Sequence, residues 1–181
     1  MRRIIVSTFA TLDGVIEAPQ NWSLKYFDEE AGKFASEQLF AADALLLGRE
    51  TYESFATSWP SRTGDFADRI NSMAKYVVST TLKEPLEWTN STLIKGDVVE
   101  EVSRLKQQPG QDILIYGTGR LVHTLLPHGL IDEHHLWIVP IIWGSGTRIF
   151  EGIETTNLEL VQAKTLPLGT VILSHKLAQQ E

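Results

Sequence analysis

Cysteine is absent from the sequence, and its absence removes several kinds of chemistry from consideration. A chain without thiols has no disulfide framework, no thiolate zinc site, no iron–sulfur cluster and no cysteine nucleophile. The sequence also lacks an apolar run near the roughly 20 residues that cross a bilayer, since Ser7 and Thr8 interrupt the short run that begins at Ile4. We therefore expect a cytoplasmic protein in a reducing compartment, with no signal peptide and no membrane partner.

Positive charge is also scarce. Sixteen Lys and Arg residues stand against 23 Asp and Glu residues, which leaves a formal net charge of −7. This balance opposes general affinity for nucleic acid or anionic lipid, because both carry dense negative charge. We expect a small-molecule substrate and no nucleic-acid partner.

The material for a globular core is present. The 181 residues are 43% hydrophobic and 22% charged, as in soluble globular proteins. This length fits a single domain over residues 1–181, and no repeat, low-complexity tract or linker divides it.

Short apolar runs bounded by turn-forming residues predict strands, and apolar spacings of three and four predict helices. The predicted strands cover residues 3–9, 44–47, 75–79, 91–95, 112–116 and 131–139, with a closing hairpin at 158–166 and 170–177. The predicted helices run from Ala31 to Ala42 after Asp28, from Val98 after the N-cap Asp97, and from Leu121 to Leu126 before Pro127 and Gly129. Residues 57–68 carry several turn formers and are expected to be the least regular segment.

Strands that alternate with helices predict an α/β fold, with a mixed, mostly parallel sheet and helices on both faces. Ligands of open α/β sheets bind at the carboxyl ends of the strands. Three polar or glycine-bearing segments follow predicted strands, at residues 47–52, 78–81 and 115–121. These segments are the first candidates for a binding site.

Each segment also has a plainer interpretation. Arg49 beside Gly48 suits a phosphate at a helix start, or Gly48 only makes a turn and Arg49 pairs with a carboxylate. Ser79 and its neighbours suit a ribose phosphate, or they are simple turn formers. Gly117 and Gly119 let a diphosphate approach, but they do not complete G-x-G-x-x-G, so an ordinary Rossmann dehydrogenase is disfavoured.

Residues 140–150 form a further glycine-bearing turn, which shapes a substrate pocket or only permits a bulge and close packing. Trp137 and Trp143 share one face if the strand continues past Val139, as a dimer surface or as ordinary core. His134 and His135 are adjacent on a predicted strand, so they point to opposite faces and cannot chelate one ion. We expect no metal site.

Five motifs occur in a recognisable order: Thr11-Leu12-Asp13-Gly14-Val15-Ile16, then Gly48-Arg49-Glu50-Thr51-Tyr52-Glu53, Val78-Ser79-Thr80, Tyr116-Gly117-Thr118-Gly119-Arg120-Leu121, and residues 140–150. Together they resemble the dihydrofolate reductase-like superfamily, most closely the reductase domain of bifunctional riboflavin-biosynthesis deaminase-reductases. The resemblance covers about residues 3–177. It implies a three-layer fold around a mixed eight-stranded sheet, NADPH across the strands' carboxyl ends, and a homodimer.

The resemblance also assigns roles by position. The residues implied to bind the cofactor are Ala10, Ile16, Gly48, Arg49, Thr51, Ser79, Thr80, Tyr116, Gly117, Thr118, Gly119, Arg120 and Leu121. Those implied to bind the substrate are Trp22, Gly144, Gly146 and Thr147, with Asp13 and Asp28 as the catalytic carboxylates. Glu50 beside Arg49 repels a 2′-phosphate, which leaves the choice between NADPH and NADH open.

The implied activity is that of an NADPH-dependent reductase of the 5-amino-6-(5-phosphoribosylamino)uracil type, which transfers a hydride to a pyrimidine- or pterin-like ring. The zinc signature of a deaminase half is missing, so the resemblance implies a stand-alone reductase. Asp13 or Asp28 would bind the ring's amidine-like edge and assist proton delivery. The alternatives are a dihydrofolate reductase and a non-catalytic, dimeric dinucleotide-binding domain.

Overall fold

Eight strands and five helices make up residues 1–179, the part of the chain that this computed structural model describes. The strands are β1 (Ile4–Thr11), β2 (Ala42–Gly48), β3 (Ala74–Val78), β4 (Ser91–Ile94), β5 (Asp112–Tyr116), β6 (Glu133–Val139), β7 (Leu158–Thr165) and β8 (Val171–Leu177). The helices are α1 (Glu29–Ala41), α2 (Arg49–Ser58), α3 (Asp65–Ser72), α4 (Val98–Gln107) and α5 (Arg120–Leu125), with single 3-10 turns at Pro19–Asn21, Leu24–Tyr26 and Leu126–His128. Within residues 1–179 no helix has the length and apolar character to span a membrane.

All eight strands belong to one sheet, in the order β4-β3-β2-β5-β1-β6-β8-β7. Strands β1 to β6 run parallel to one another, whereas β8 is antiparallel to both β6 and β7. The prediction of a mixed, mostly parallel eight-stranded sheet with a closing hairpin is therefore confirmed.

Helices cover both faces of the sheet and make three layers. On one face Leu39 of α1, Tyr52 of α2 and Ile70 of α3 pack in a core cluster with Leu45 and Leu47 of β2. On the other face the buried residues of α4 and α5 form a second cluster with the alternate residues of β2 and β5, namely Val102, Leu105, Val122, Leu125, Ala44, Leu46, Ile113 and Ile115. Because successive side chains of a strand point to opposite faces of the sheet, the buried strands contribute apolar side chains to both cores.

Two helix starts predicted from acidic caps are confirmed. Asp28 Oδ1 accepts a hydrogen bond from Ala31 N over 2.8 Å, and Asp97 Oδ1 accepts one from Glu100 N over 2.9 Å. Each carboxylate satisfies a backbone N–H that has no partner inside its helix, and its charge favours the helix N-terminus.

The prediction that residues 57–68 are the least regular segment is wrong at both ends. Helix α2 continues to Ser58 and α3 begins at Asp65, so only residues 59–64 form the connection. Gly64 has φ of +105°, which a glycine adopts without strain and which starts α3 sharply. The helical spacing of Ala67 and Ile70, both buried, is short enough to be hidden by the turn formers before it.

The two tryptophans expected on one strand face are separated by the end of that strand. Strand β6 stops at Val139, because Pro140 has no N–H to continue the ladder. Trp137 is buried, 1% exposed, and its ring lies against Phe9, whereas Trp143 lies in the following loop and is 44% exposed. The condition for a shared face, a strand that continues past Val139, is therefore not met, and ordinary core packing is confirmed for Trp137.

His134 and His135 point to opposite faces of β6, as predicted. His134 contacts Thr8 Oγ1 over 3.1 Å, and His135 Nε2 lies 2.7 Å from Glu133 Oε1. Burial lowers the pKa of His134 to about 3, so its ring is neutral at neutral pH. No cluster of three or more His, Asp or Glu side chains that could hold a metal occurs between residues 1 and 179.

Candidate functional site

The connections that follow the neighbouring strands β2 and β5 diverge at the carboxyl edge of the sheet. β2 and β5 are neighbours, but α2 leaves β2 towards one face and α5 leaves β5 towards the other. Where consecutive connections diverge in this way, the carboxyl edge of an open sheet forms a ligand-binding crevice. We call the segments around it, residues 48–51, 79–82 and 116–120, the central rim.

Hydrogen bonds join two of these segments. Arg49 Nη1 donates to Thr81 Oγ1 over 3.0 Å. Ser79 Oγ in turn accepts from the backbone N–H groups of Thr81 and Leu82 over 3.1 and 3.0 Å. Arg49 also lies 3.7 Å from Glu53, an exposed pair that adds little stability. The guanidinium is therefore held beside the Ser79 turn, and Thr80 is exposed at the tip of that turn.

The third segment approaches the start of α2. Gly117 has φ of +79°, and a Cβ built on it would lie 3.9 Å from Thr51 Oγ1. Its N–H donates to Ser7 O over 2.8 Å, which fixes the turn on β1. Arg49, Ser79 and Gly117, although far apart in sequence, thus lie near one another at one edge of the sheet.

Two hydroxyls at the end of β5 are buried without a hydrogen-bond partner in the described structure. They are Tyr116 Oη and Thr118 Oγ1. Burial raises the pKa of Tyr116, whose ring packs 5.6 Å from that of Phe55, so this hydroxyl stays protonated. An unpartnered buried donor costs about 1–3 kcal/mol, and a ligand oxygen in the crevice would satisfy it. Gly119 precedes α5, where Arg120 is exposed and Leu121 packs partly into the core.

A second rim lies beside the first, at the carboxyl ends of β1 and β6. We call it the lateral rim and define it as residues 12–17, 24–30, 140–148 and 167–169. Leu12 N donates to Ile141 O over 2.9 Å, and Ile16 N donates to Thr147 O over 3.0 Å. The first and third of its segments are thereby paired along their length.

Asp13 is the anchor of this pairing. Its carboxylate accepts from Thr11 Oγ1 over 2.7 Å, from Trp143 N over 3.0 Å and from Gly144 N over 2.8 Å. These three donors hold the pKa of Asp13 well below its usual range. Asp13 is therefore a permanently ionised clamp at neutral pH, which is a poor state for a proton donor.

Asp28 is also tied to backbone. Besides capping α1 through Oδ1, it accepts from Leu168 N through Oδ2 over 3.2 Å. It thus joins the start of α1 to the turn between β7 and β8. Both carboxylates predicted to act on the substrate have structural partners on the lateral rim.

The other residues assigned to the substrate or the nicotinamide differ in exposure. Trp22 is 2% exposed and donates through Nε1 to Glu17 O, and Ala10 is 1% exposed. Neither offers a ligand appreciable surface in this structure, and the assignments of Trp22 to the substrate and of Ala10 to the nicotinamide stay predictions. Ile16 is partly exposed on the lateral rim.

Gly144, Gly146 and Thr147 are exposed in the 140–148 loop. A Cβ on Gly146 would come within 2.8 Å of Val15 Cγ1, so the loop packs tightly on the 12–17 segment. Thr147 Oγ1 donates to Glu17 Oε1 over 2.6 Å. The loop is therefore held firmly enough to shape a pocket.

Three residues of the two rims were not predicted as site residues from the sequence. They are Thr81, which holds Arg49, and the exposed aromatic residues Phe27 and Trp143. Thr81 lies in a segment that was singled out. Phe27 carried no signal, because its stacking on Trp137, with ring centroids 6.3 Å apart, joins residues that are remote in sequence.

A separate cavity of about 190 Å³ lies at the opposite, amino edge of the sheet, under α1. Its polar side chains are engaged with one another: Arg3 donates to Asp112, and His135 contacts Gln38 and Glu133. The polar side chains of this cavity therefore already have partners, whereas the central rim includes the unpartnered hydroxyls of Tyr116 and Thr118.

Comparison with known proteins agrees with the fold and with the order of the motifs. The family model described as the RibD C-terminal domain matches residues 2–173. The uncharacterized protein YyaP of Bacillus subtilis is 31% identical over 179 residues, covering 94% of this chain and 92% of YyaP.

Solved structures share the fold. A candidate riboflavin biosynthesis protein from Shewanella sp. PV-4 superposes with a TM-score of 0.77 at 21% identity, covering 98% of this chain and 99% of that one. The Thermotoga maritima diaminohydroxyphosphoribosylaminopyrimidine deaminase/5-amino-6-(5-phosphoribosylamino)uracil reductase gives a TM-score of 0.70 at 15% identity, covering 98% of this chain and 57% of that one. Because the family model spans almost the whole sequence, the chain belongs to the RibD C-terminal domain family of reductase domains, and it has the dihydrofolate reductase-like fold.

Proposed function

We propose that this protein is an NADPH-dependent reductase of the riboflavin-biosynthesis type, which transfers a hydride to a pyrimidine- or pterin-like ring. The observation that carries the proposal is the central rim, where Arg49, Thr51, Ser79 and Gly117 lie together at the carboxyl edge of the sheet. Family membership supports a reductase. Neither the NADPH requirement nor the acceptor follows from the fold, so both are parts of the proposal.

The residues of the central rim fit a dinucleotide phosphate. Gly48, Arg49 and Thr51 would hold the cofactor phosphates, and Ser79 and Thr80 the adenosine ribose phosphate, while residues 116–121 would wrap the diphosphate. The unpartnered Thr118 hydroxyl supports this fit, because it is a buried donor in a turn that a glycine opens. When bound, the nicotinamide supplies the hydride.

The contribution of the protein is positioning. Arg49, held by Thr81, places a positive charge beside Ser79 and gives the rim a preference for an anionic ligand. On the lateral rim, Asp13 holds the 140–148 loop in one arrangement against the 12–17 segment. Ionised Asp13 binds N–H donors and is not the source of the proton that the reduced ring needs.

The binding experiment uses Thr118→Val, which removes the unpartnered hydroxyl while keeping its shape. We expect NADPH affinity, measured by calorimetry, to fall about tenfold, since one hydrogen bond contributes roughly 1–1.5 kcal/mol. The matched control is Thr124→Val in α5, whose exposed hydroxyl already has a partner, since it donates to Arg120 O within the helix over 2.8 Å. Equal affinity in both variants would contradict the assignment of Thr118.

The same titration decides the proposed function. Absence of binding by both NADPH and NADH rejects a reductase. Binding without turnover of any pyrimidine or pterin acceptor favours the non-catalytic dinucleotide-binding alternative. Rapid NADPH oxidation with dihydrofolate favours the dihydrofolate reductase alternative.

We also propose a homodimer. β7 is an edge strand with seven of its eight residues exposed, and Leu158, Leu160 and Val161 are 42%, 54% and 51% exposed. An uncovered apolar edge strand invites pairing with another chain. We expect light scattering to give twice the mass of one 20.3 kDa chain, and Leu160→Asp to reduce it to one. A monomeric parent protein would contradict this proposal.

A further inference from the structure

The lateral rim is unusually apolar for an exposed surface. In residues 1–179, eleven large apolar side chains are exposed, and six of them lie on this rim: Leu12, Leu24, Phe27, Ile142, Trp143 and Leu168. Exposed apolar side chains gathered in one place mark a binding surface. Here they adjoin the central rim, where the cofactor is proposed to bind.

Two aromatic residues in this group have anchored positions of different kinds. The backbone N–H of Trp143 donates to Asp13, and the ring of Phe27 stacks on buried Trp137 with an interplanar angle of 18°. Both side chains are partly exposed, so they offer aromatic surface to a flat ligand. A flat heterocycle gains about 1–3 kcal/mol from each such stack.

The charge of the lateral rim is negative. It carries five carboxylates, on Asp13, Glu17, Asp28, Glu29 and Glu30, and two cations, on Lys25 and Arg148. Lys164 of β7 offsets part of this charge, 3.7 Å from Glu30.

The cation nearest Asp13 is Arg148, and its guanidinium group already has hydrogen-bond partners. Arg148 Nε donates to Asp13 O over 3.2 Å, its Nη2 donates to Gly144 O over 3.3 Å, and Nη2 lies 3.8 Å from the Asp13 carboxylate. Lys25 lies 5.0 Å from the ring centre of Tyr26. A phosphate bound here would meet one cation that has no carboxylate partner in the described structure and several negative charges.

The central rim is less negative. It carries Arg49 and Arg120 against Glu50, with Glu53 3.7 Å from Arg49, and it also offers the backbone N–H groups of its turns. A dianionic phosphate is stabilised by guanidinium groups and repelled by carboxylates within a Debye length of about 10 Å. The carboxyl edge therefore divides into an anion-binding part and a part suited to uncharged or cationic planar groups.

From this division we propose that the substrate of this reductase is a planar heterocycle without a phosphate group, which stacks on Trp143 and Phe27 of the lateral rim. The inference rests on the proposed function and departs from the phosphoribosyl compound in the name of the Thermotoga maritima enzyme. Selectivity against that compound arises from the carboxylates of the rim, because they repel its phosphate.

A matched pair of ligands tests the proposal. Calorimetry compares 5-amino-6-(5-phosphoribosylamino)uracil with the same compound after enzymatic removal of its phosphate, on protein saturated with NADP⁺ and on cofactor-free protein. We expect the phosphate-free compound to bind at least as tightly. Tighter binding of the phosphorylated compound, or binding of neither compound, overturns the proposal. The NADP⁺ titration separately judges the proposed function, and if it fails, the cofactor-free comparison still decides the inference.

Variants locate the binding surface. Trp143→Ala keeps the backbone N–H that Asp13 accepts and removes an exposed ring, so the protein should fold normally. We expect it to weaken binding of the phosphate-free compound about tenfold without changing the affinity for NADP⁺. Phe40→Ala, a 49% exposed ring at the end of α1, is the control and should change neither affinity. Unchanged affinity in Trp143→Ala, or a preference for the phosphorylated compound that Lys25→Gln abolishes, refutes the inference.

Discussion

Lys75 offers a test of the fold that supports the central rim, because its ammonium group is buried in β3 without a carboxylate partner. It is 0% exposed, and Nζ donates to the carbonyls of Asn71, Met73 and Thr89 over 2.8, 2.8 and 3.0 Å. The ring centre of Trp88 lies 4.3 Å away. These contacts tie the end of α3 and the segment before β4 to the strand that carries Ser79.

Burial lowers the pKa of Lys75 to about 8, from 10.5 in the unfolded chain. Between these two values the unfolded chain binds a proton that the folded chain has released, so the free energy of unfolding rises with pH. At about 1.36 kcal/mol per pKa unit the whole rise is about 3 kcal/mol. The three carbonyl acceptors favour the charged form, which makes this figure an upper limit.

The experiment compares the parent protein with Lys75→Met by urea unfolding from pH 7 to pH 10.5. At pH 7 the variant should be less stable by about 2 kcal/mol, because carbonyls lose their donor while the desolvation of a charge is relieved. The difference in the free energy of unfolding between the two proteins should then increase as pH rises, because the titration of Lys75 stabilises only the parent protein. Subtracting the two profiles cancels the titration of other groups, including Tyr116. Parallel profiles would refute the reasoning.

Two further predictions concern stability alone. Gly110→Ala should destabilise the protein by about 2–4 kcal/mol in chemical unfolding, because the new Cβ would lie 2.7 Å from Asp43 Oδ2 and 3.0 Å from Arg2 Nε at φ of +150°. Gly129→Ala, at φ of +63° with no atom within 4 Å of its Cβ, is the control and should cost about 1 kcal/mol; equal losses would contradict the role of the Arg2 pair. Buried His134, with its pKa lowered to about 3, should make stability fall as pH drops from 6.5 towards 3, since the unfolded chain alone binds that proton. In His134→Leu the free energy of unfolding should fall less as pH drops over this range. An equal fall in both proteins would contradict the role given to His134.

Most of the local structure could be predicted because it depends on neighbours in sequence. Asp28 and Asp97 indicate helix starts, and Pro167 with Gly169 indicates the turn of the hairpin. Helix α3 was missed because its apolar spacing is brief and follows a run of turn formers. Trp143 was misplaced because the spacing rule assumes a strand that Pro140 ends.

The proximity of the central-rim segments could also be predicted from the sequence. Parallel strands bring their carboxyl ends to one edge, so segments that follow strands must meet there once the strand order is known. The resemblance placed the same segments around one cofactor at that edge, although it gave no strand order. It could not supply the contacts themselves, such as the bond from Arg49 to Thr81.

From its residue order alone, then, most of this protein's elements, its α/β class and the segments that meet at the carboxyl edge of its sheet could be worked out. The tertiary structure alone decided what the carboxylates do: Asp13 binds donors about 130 residues away in the chain, and Asp28 binds one 140 residues away. It alone placed Trp22 in the core and Phe27 on the rim. The physical reason is that periodicity and capping report interactions within a few residues, whereas the partners, and hence the charge state and exposure, of these side chains come from segments that only the folded sheet brings together.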